Sequence, residues 1–170
     1  MTPTPHALEN SRPEERLLTL LGDGGGGPVA TAESCTGGGV AARLTRVSGS
    51  SAYVQGGIVA YSNEAKISLL GVDPGIIATA GAVSEACALA MARGARAAFA
   101  ARWAVSTTGI AGPTGATPAK PVGLVFIAVA GPAGETCERH VFPGDRAAVT
   151  AAATERALGM LLETVERERC

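Results

Sequence analysis

The sequence is poor in aromatic residues and carries almost no net charge. Phenylalanine, tryptophan and tyrosine make up 4% of the 170 residues, whereas hydrophobic residues together make up 46%. The core must therefore be built from alanine, valine, leucine and isoleucine. The formal net charge is −1, from 14 basic and 15 acidic residues. This balance gives no basic field to attract a nucleic-acid backbone, so nucleic acid is not an expected partner.

Cysteine and histidine are few and widely spaced. They lie at Cys35, Cys87, Cys137, Cys170, His6 and His140. The cysteines form no C-x-x-C pair, and the two histidines complete no spacing that is typical of zinc. The sequence therefore predicts reduced thiols and no metal site.

Long apolar runs are absent too. No run reaches the ~18 residues of a membrane-spanning helix, and the N-terminus lacks the basic-then-apolar pattern of a signal peptide. We therefore expect a soluble cytoplasmic protein with no membrane partner. The length favours one domain over residues 11–170, preceded by a flexible tail over residues 1–10.

The first part of the domain has a helix signal followed by a chain break. Ser11 with Glu14 forms a capping-box pattern, which predicts a helix running to about Leu21. Residues 22–27 are rich in glycine, but no Lys-Ser or Lys-Thr follows them. They are therefore interpreted as a flexible connector rather than a phosphate-binding loop.

Strand and helix signals then alternate along the chain. Strands are predicted over 28–32, 56–61, 103–107, 124–130 and 136–142. Helices are predicted after residue 39, from a cap at Asn63 to Gly71, over 74–79, from Ser84 to about Ala101, and from a cap at Asp145 onward. The segment Gly131-Pro-Ala-Gly134 is a hairpin signal between the last two strands. This order predicts one α/β domain, with a mixed sheet that ends in a β-hairpin and is covered by helices.

Three residues with chemical potential fall at the ends of predicted strands. Ser34, Tyr61 and Gly109 each end a strand or directly follow one. In open α/β sheets, ligands bind at the carboxyl ends of the strands. We therefore expect these residues to share a site.

The segment from Glu33 to Gly39 predicts a sharp strand-to-helix turn with a hydroxyl at the corner. Free N–H groups at such a helix start can hold an anion or a developing oxyanion. The alternative is that Ser34 or Thr36 merely caps the helix.

A serine nucleophile needs a base, and lysine is the better candidate here. His140 lies in the middle of a predicted strand, which argues against a Ser-His-Asp triad. Lys66 lies one turn into the helix after the second strand, so both it and Tyr61 can point towards Ser34. As a base it must lose its proton near neutral pH, which requires burial or a neighbouring cation. The alternative is a solvated surface lysine paired with Glu64.

A glycine- and proline-rich loop over residues 109–123 is long enough to cover a ligand and to contribute backbone donors. Lys120 in this loop could supply a positive charge to a substrate phosphate, or could be simply exposed. Arg146 lies in the first turn of the last helix, where the helix dipole disfavours a cation. This placement favours an anion-binding role, with a salt bridge as the alternative.

Seven motifs in fixed order resemble the CinA C-terminal domain family. They are Thr31-Ala-Glu-Ser-Cys-Thr-Gly-Gly, Gly49-Ser-Ser, Tyr61-Ser-Asn-Glu-Ala-Lys66, Gly81-Ala-Val-Ser-Glu85, Gly109-Ile-Ala-Gly-Pro113, Lys120-Pro-Val-Gly123 and Phe142-Pro-Gly-Asp-Arg146. The resemblance runs from about Val29 into the last helix. Seven ordered motifs are far more specific than any one of them.

The resemblance implies a three-layer α/β/α sandwich and a homo-oligomer without metal or cofactor. Stand-alone members of the family include nicotinamide-nucleotide amidohydrolases, so the implied reaction converts nicotinamide mononucleotide into nicotinate mononucleotide and ammonia. The family's catalytic serine, tyrosine and lysine correspond to Ser34, Tyr61 and Lys66, and the expected mechanism has Lys66 take the serine proton directly or through Tyr61. The expected substrate-binding residues are Cys35, Thr36, Gly37, Gly38, Thr108, Gly109, Ala111, Gly112, Lys120 and Arg146.

The chain departs from the family pattern in two places. Residues 22–27 replace a more ordinary connection, which should affect only flexibility. Residues 114–119 stand where relatives often have more glycine and acidic residues, which bears on the fit of the substrate. Two alternatives therefore stay open: a non-catalytic nucleotide-binding or regulatory module, and an amidase for another small amide.

Overall fold

The computed structural model describes residues 11–22 and 26–169. The expected flexible tail, the middle of the glycine-rich connector, His6 and Cys170 lie outside these ranges. Within them the elements follow in the order α1 (Pro13–Leu21), β1 (Val29–Glu33), α2 (Gly39–Thr45), a 3₁₀ turn (Ser50–Ala52), β2 (Val54–Val59), α3 (Asn63–Leu70), α4 (Pro74–Thr79), α5 (Glu85–Ala98), β3 (Trp103–Gly109), β4 (Leu124–Gly131), β5 (Gly134–Val141) and α6 (Arg146–Arg169). No helix of the described ranges is both long and apolar enough to cross a membrane.

The five strands form one mixed sheet in the order β2-β1-β3-β4-β5. Strand β1 is parallel to both β2 and β3, whereas β4 is antiparallel to β3 and to β5. The pairing of Gly131 with Gly134 closes the hairpin that the sequence predicts. Because β1, β2 and β3 run in the same direction, their carboxyl ends lie together at one edge of the sheet.

Helices cover both faces of the sheet, which confirms the expected three-layer α/β/α sandwich. On one face the sheet packs against α1, α2 and α6 through buried side chains that include Leu17, Leu44, Val29, Trp103, Val125 and Leu161. On the other face it packs against α3 and α5 through mostly small side chains that include Ala30, Ala104, Leu70, Met91 and Ala95. Small side chains let the elements of this second layer approach closely: a Cβ placed on Gly94 of α5 would lie 2.0 Å from the carbonyl oxygen of Leu70.

Two helices begin one residue away from the predicted cap. The predicted cap at Ser11 is wrong, because Arg12 is the N-cap residue and its amide N–H donates to Glu15 (3.1 Å). Glu14 instead points inward, is 1% exposed and forms an ion pair with Arg43 (2.7 Å).

The predicted cap at Asn63 is also wrong by one residue. The hydroxyl of Ser62 accepts from the amide N–H of Ala65 (3.1 Å), so Ser62 caps α3. This shift puts Asn63 in the first turn of α3, on the same face as Lys66 three residues later. The caps predicted at Ser84 and Asp145 and the end of α3 at Gly71 are confirmed.

Candidate active site

Ser34 lies at the corner between β1 and α2, as the sequence predicts. Its amide N–H donates to the carbonyl of Thr107 (3.0 Å), which extends the pairing of β1 with β3 by one residue. Gly37 and Gly38 then take positive φ angles of 60° and 98°. Glycine adopts this conformation without steric cost, so the chain can turn within five residues from strand to helix.

Lys66 points from α3 directly at this corner. Its Nζ lies 3.1 Å from the Oγ of Ser34 and 2.8 Å from the carbonyl oxygen of Ala60, with the carbonyl oxygen of Tyr61 at 3.5 Å. Lys66 is 2% exposed. The alternative of a solvated lysine paired with Glu64 is therefore wrong.

The surroundings of Lys66 favour its neutral form. Burial disfavours the charged amine and lowers the pKa of Lys66 below the ordinary lysine value. In the described part of the chain, no carboxylate lies within 4 Å of Nζ to oppose this effect. A neutral amine at this position can donate to the two carbonyls and accept the proton of the Ser34 hydroxyl.

The start of α2 is occupied by the protein's own carboxylate. Glu33 accepts hydrogen bonds from the amide N–H groups of Gly38 (3.1 Å), Val40 (3.0 Å) and Ala41 (2.8 Å), and the N–H of Gly37 donates to the carbonyl of Ser34 (3.1 Å). The amides of Gly37 and Gly38, which were expected to bind substrate, are therefore already taken by oxygens of the protein. Within the described chain, the amides of residues 35 and 36 make no such hydrogen bond.

Cys35 is adjacent to Ser34 and also reaches the site. Burial raises the pKa of its thiol to about 11. Because the thiolate is the nucleophilic form of cysteine, this thiol is inactive near neutral pH. The hydroxyl of Ser34, with an amine at hydrogen-bonding distance, is the better nucleophile of the two.

A cavity of about 280 Å³ opens over the pair formed by Ser34 and Lys66. Nine of the residues predicted for the site line it: Ser34, Cys35, Tyr61, Lys66, Thr108, Gly109, Ala111, Gly112 and Arg146. Four predicted residues lie outside the lining: Thr36, Gly37, Gly38 and Lys120. The end of β3 and the loop after it thus contribute most of the backbone that the sequence assigned to substrate.

Tyr61 and Arg146 meet at the mouth of this cavity. A guanidinium nitrogen of Arg146 donates to the hydroxyl of Tyr61 (2.6 Å), and another donates to the carbonyl of Gly112 (3.0 Å). Among residues 11–22 and 26–169, no carboxylate pairs with Arg146, so the alternative of a salt bridge is wrong. The hydroxyl of Tyr61 bonds to Arg146 rather than to Ser34 or Lys66, so this geometry does not support a proton relay through it.

Lys120 fixes the long loop instead of reaching into the cavity. Its ammonium donates to the carbonyl of Ala80 (2.8 Å), and a short bridge joins its backbone to Thr117. His140 lies in β5, where its ring stacks on Phe142 and bonds to Glu138 (2.7 Å). It is not among the residues that line the cavity.

The cavity also includes residues that the sequence did not assign individually. They are Asn63, Ala82 and Val83, and also Ile110, Thr114 and Gly115 of the loop that was expected to cover a ligand. Asn63 was interpreted only as a helix cap, although its spacing of three residues from Lys66 indicates a shared helix face. Ala82 and Val83 have no side chain that signals chemistry, so only the folded backbone brings them to the site.

Comparisons with known proteins agree with this architecture. Residues 12–165 match the family model of the CinA C-terminal domain. A CinA-like protein from Mycobacterium avium (strain 104) is 52% identical over 161 residues, which cover 92% of this chain and 36% of that protein. A CinA-like protein from Mycobacterium tuberculosis (strain ATCC 25177 / H37Ra) is 54% identical over 138 residues, which cover 81% of this chain and 32% of that protein. The chain thus spans about a third of the length of these curated relatives.

Solved structures resemble the whole fold. The competence/damage inducible protein CihA from Agrobacterium tumefaciens matches with a TM-score of 0.86 and 40% identity, over 98% of this chain and 99% of that one. A CinA superfamily protein from Klebsiella pneumoniae 700603 matches with a TM-score of 0.86 and 34% identity, over 92% of this chain and 99% of that one. By family model, sequence and fold, the chain belongs to the CinA C-terminal domain family.

Proposed function

We propose that the chain hydrolyses the carboxamide of nicotinamide mononucleotide to nicotinate mononucleotide and ammonia, with Ser34 as nucleophile and Lys66 as base. The observation that carries this proposal is the buried amine of Lys66, 3.1 Å from the hydroxyl of Ser34 and without a carboxylate partner in the described chain. Family membership supports the same assignment.

In the first step, neutral Lys66 takes the proton of Ser34 directly. The Oγ of Ser34 forms a bond to the carboxamide carbon, and the π electrons of the carbonyl move to its oxygen. The carbonyls of Ala60 and Tyr61 then accept from the new ammonium, which keeps Nζ in place. General-base assistance of this kind is typically worth 10²–10⁴-fold in rate.

The oxyanion needs donors that are still free, and the amide of Cys35 is the best placed because Cys35 lines the cavity. One such donor is worth about 10²–10³-fold. Lys66 then gives its proton to the amide nitrogen, and the C–N bond breaks to release ammonia. In the second half, Lys66 takes a proton from water, the hydroxide attacks the acyl ester, and Ser34 leaves with the proton that Lys66 returns.

The charges at the cavity mouth support a nucleotide substrate. Arg146 has no carboxylate partner in the described residues and its guanidinium suits a phosphate group, to which Arg can donate two hydrogen bonds. The ring of Tyr61 is 60% exposed beside it, where it can face the cationic pyridinium ring of the substrate. A contact between Lys120 and the phosphate is also proposed, and it requires the ammonium to leave the carbonyl of Ala80.

A non-catalytic module is the second candidate function. The curated relatives are about three times as long as the matched segment, which favours a domain that serves a larger protein. In that case the cavity would bind the nucleotide without chemistry. An amidase acting on another small amide is the remaining alternative, since the departure at residues 114–119 touches the cavity through Thr114 and Gly115.

A substrate panel separates the three functions. Ammonia release by the purified protein is measured with nicotinamide mononucleotide, nicotinamide riboside and nicotinamide. We expect release from the mononucleotide, with kcat/KM far lower for the two compounds that lack phosphate. Equal release from all three supports a less selective amidase. Saturable binding of the mononucleotide by calorimetry without ammonia release contradicts the proposal and supports the module.

A further inference from the structure

The carboxylate of Glu33 is buried at the centre of the turn that carries Ser34. Glu33 is 1% exposed. Its carboxylate accepts from the backbone N–H groups of Gly38, Val40 and Ala41. The hydroxyl of Thr36 also donates to it, at 2.6 Å. No lysine, arginine or histidine of the described ranges forms an ion pair with Glu33. Four neutral donors therefore solvate a buried carboxylate, and hydrogen bonds to a charged acceptor are roughly twice as strong as neutral ones.

The hydrogen bonds of Glu33 hold the turn that carries Ser34 at two points, and this closed turn is called the ring below. The backbone of Glu33 is fixed in β1, where it pairs with Thr107 of β3, and its side chain is fixed on the far side of the turn by Gly38, Val40 and Ala41. Ser34 and Cys35 lie between these two anchor points. The direction in which the hydroxyl and the Cys35 amide point thus depends on one side chain.

A second chain of hydrogen bonds ties the same ring to β3. The hydroxyls of Thr36 and Thr107 are 2.7 Å apart. Because Thr36 has one proton and gives it to Glu33, Thr107 is the donor in this pair. Since the carbonyl of Thr107 accepts from the amide of Ser34, Glu33 is linked through Thr36 and Thr107 to the backbone of the nucleophile itself.

We propose that Glu33 is a positioning residue for the reaction. Its buried carboxylate accepts hydrogen bonds from the N–H groups at the start of α2 and thereby orients Ser34 and the free Cys35 amide towards the substrate. Glu33 touches neither substrate nor reacting atoms in this role. The inference rests on the proposed function, because it assigns Ser34 as the nucleophile. It differs from simple helix capping, since capping alone predicts a loss of stability with an unchanged rate.

The test removes the carboxylate and then returns it from solution. Glu33→Ala leaves a space of carboxylate size lined by the four donors, which formate can enter. We expect kcat to fall at least about tenfold, since a misplacement of about 1 Å can cost 10²-fold, whereas KM changes little. Added formate should raise both the melting temperature and the kcat of this variant, and neither quantity in the wild type.

Glu14→Ala is the matched control, because Glu14 is equally buried at 1% exposure but pairs with Arg43 away from the cavity. Formate should not raise its kcat. If Glu33→Ala does not fold, Glu33→Gln serves instead. It keeps the shape but presents an NH₂ group to donors, so its kcat should fall with KM nearly unchanged. A wild-type kcat in either Glu33 variant, or formate that restores stability without restoring kcat, overturns the proposal.

A second readout keeps the proposal testable if the wild type releases no ammonia. The rate at which a fluorophosphonate reagent labels Ser34 reports the nucleophile's orientation for any substrate. We expect slower labelling in Glu33→Ala, with recovery on adding formate. Failure of ammonia release with this labelling pattern intact overturns the substrate but not the role of Glu33. Equal labelling in wild type and variant overturns the role of Glu33.

Discussion

Replacing Lys66 with methionine separates the catalytic role of the amine from its contribution to the fold. Methionine has a similar length and is apolar, so it fills the buried space that the lysine stem occupies. The variant loses the hydrogen bond from Nζ to the carbonyl of Ala60 at 2.8 Å. It also loses the proton acceptor beside Ser34.

The two losses have different magnitudes. Loss of the hydrogen bond costs about 1 kcal/mol of stability. Against this stands the removal of a buried amine whose pKa is lowered by burial, which itself costs stability near neutral pH because the unfolded chain binds the proton that the folded site disfavours. We therefore expect the free energy of unfolding to stay the same or to rise. Activity should fall by about 10²–10⁴-fold, which corresponds to about 3–5 kcal/mol on the activation barrier.

Urea unfolding followed by circular dichroism measures the first quantity, and ammonia release from nicotinamide mononucleotide measures the second. A stable variant with turnover within about tenfold of the wild type refutes Lys66 as the base. A variant that loses activity because it unfolds refutes the claim that the buried amine serves chemistry rather than the fold. Lys120→Met is the control, because it removes the other lysine near the site. Since Lys120 is proposed only to contact the phosphate, its loss should act on KM and leave kcat close to that of the wild type.

Three further predictions concern the protonation of Lys66, the packing of α3 against α5, and the ion pair between Glu138 and Arg156. Burial lowers the pKa of Lys66 below the ordinary lysine value, and only the unprotonated amine accepts the serine proton. The kcat/KM should therefore rise with pH through this lowered pKa. A pH profile of kcat/KM that is flat below the ordinary lysine pKa contradicts this. Gly94→Ala should destabilise the fold by about 1–3 kcal/mol in urea unfolding, because its Cβ would lie 2.0 Å from the carbonyl of Leu70. As a control, the Cβ of Gly159→Ala would have no neighbour nearer than 3.4 Å, so this variant should be more stable than the wild type by up to about 1 kcal/mol. Equal effects of the two substitutions contradict the close approach of α3 and α5. The hydrogen bond from Arg156 lowers the pKa of Glu138 to about 2. The stabilising contribution of the Glu138 carboxylate is therefore complete above the unfolded pKa of about 4.3 and is lost as pH falls towards 2. In acid unfolding, Glu138→Gln should lose less stability than the wild type over this interval, and an identical loss contradicts the ion pair.

The sequence predicted the sheet and its hairpin. It also predicted that Lys66 can point towards Ser34, with a solvated lysine as the alternative, and the family resemblance favoured the contact. Alternation of strands and helices places the ends of parallel strands at one edge. Ser34 directly follows the end of β1, and Lys66 lies one turn into α3, the helix that follows β2. Their contact thus depends on topology, which the pattern of apolar residues and breaks encodes well.

Other features depend on contacts that no local pattern encodes. The bond between Arg146 and Tyr61 joins residues 85 positions apart, so it exists only because α6 begins beside the end of β2. Glu33 was interpreted as part of a motif, since nothing in its position shows that two positive φ angles turn three amides towards its side chain. The caps predicted at Ser11 and Asn63 are each wrong by one residue, because Arg12 and Ser62 occupy the N-cap positions.

Ammonia release from nicotinamide mononucleotide by the wild type and by Ser34→Ala shows whether Ser34 is the nucleophile of an amide hydrolysis. Circular dichroism shows whether both proteins are folded. We expect release by the wild type and almost none by a folded Ser34→Ala protein. Equal release by both would rule out Ser34 as the nucleophile, because the reaction would then proceed without the hydroxyl that Lys66 faces.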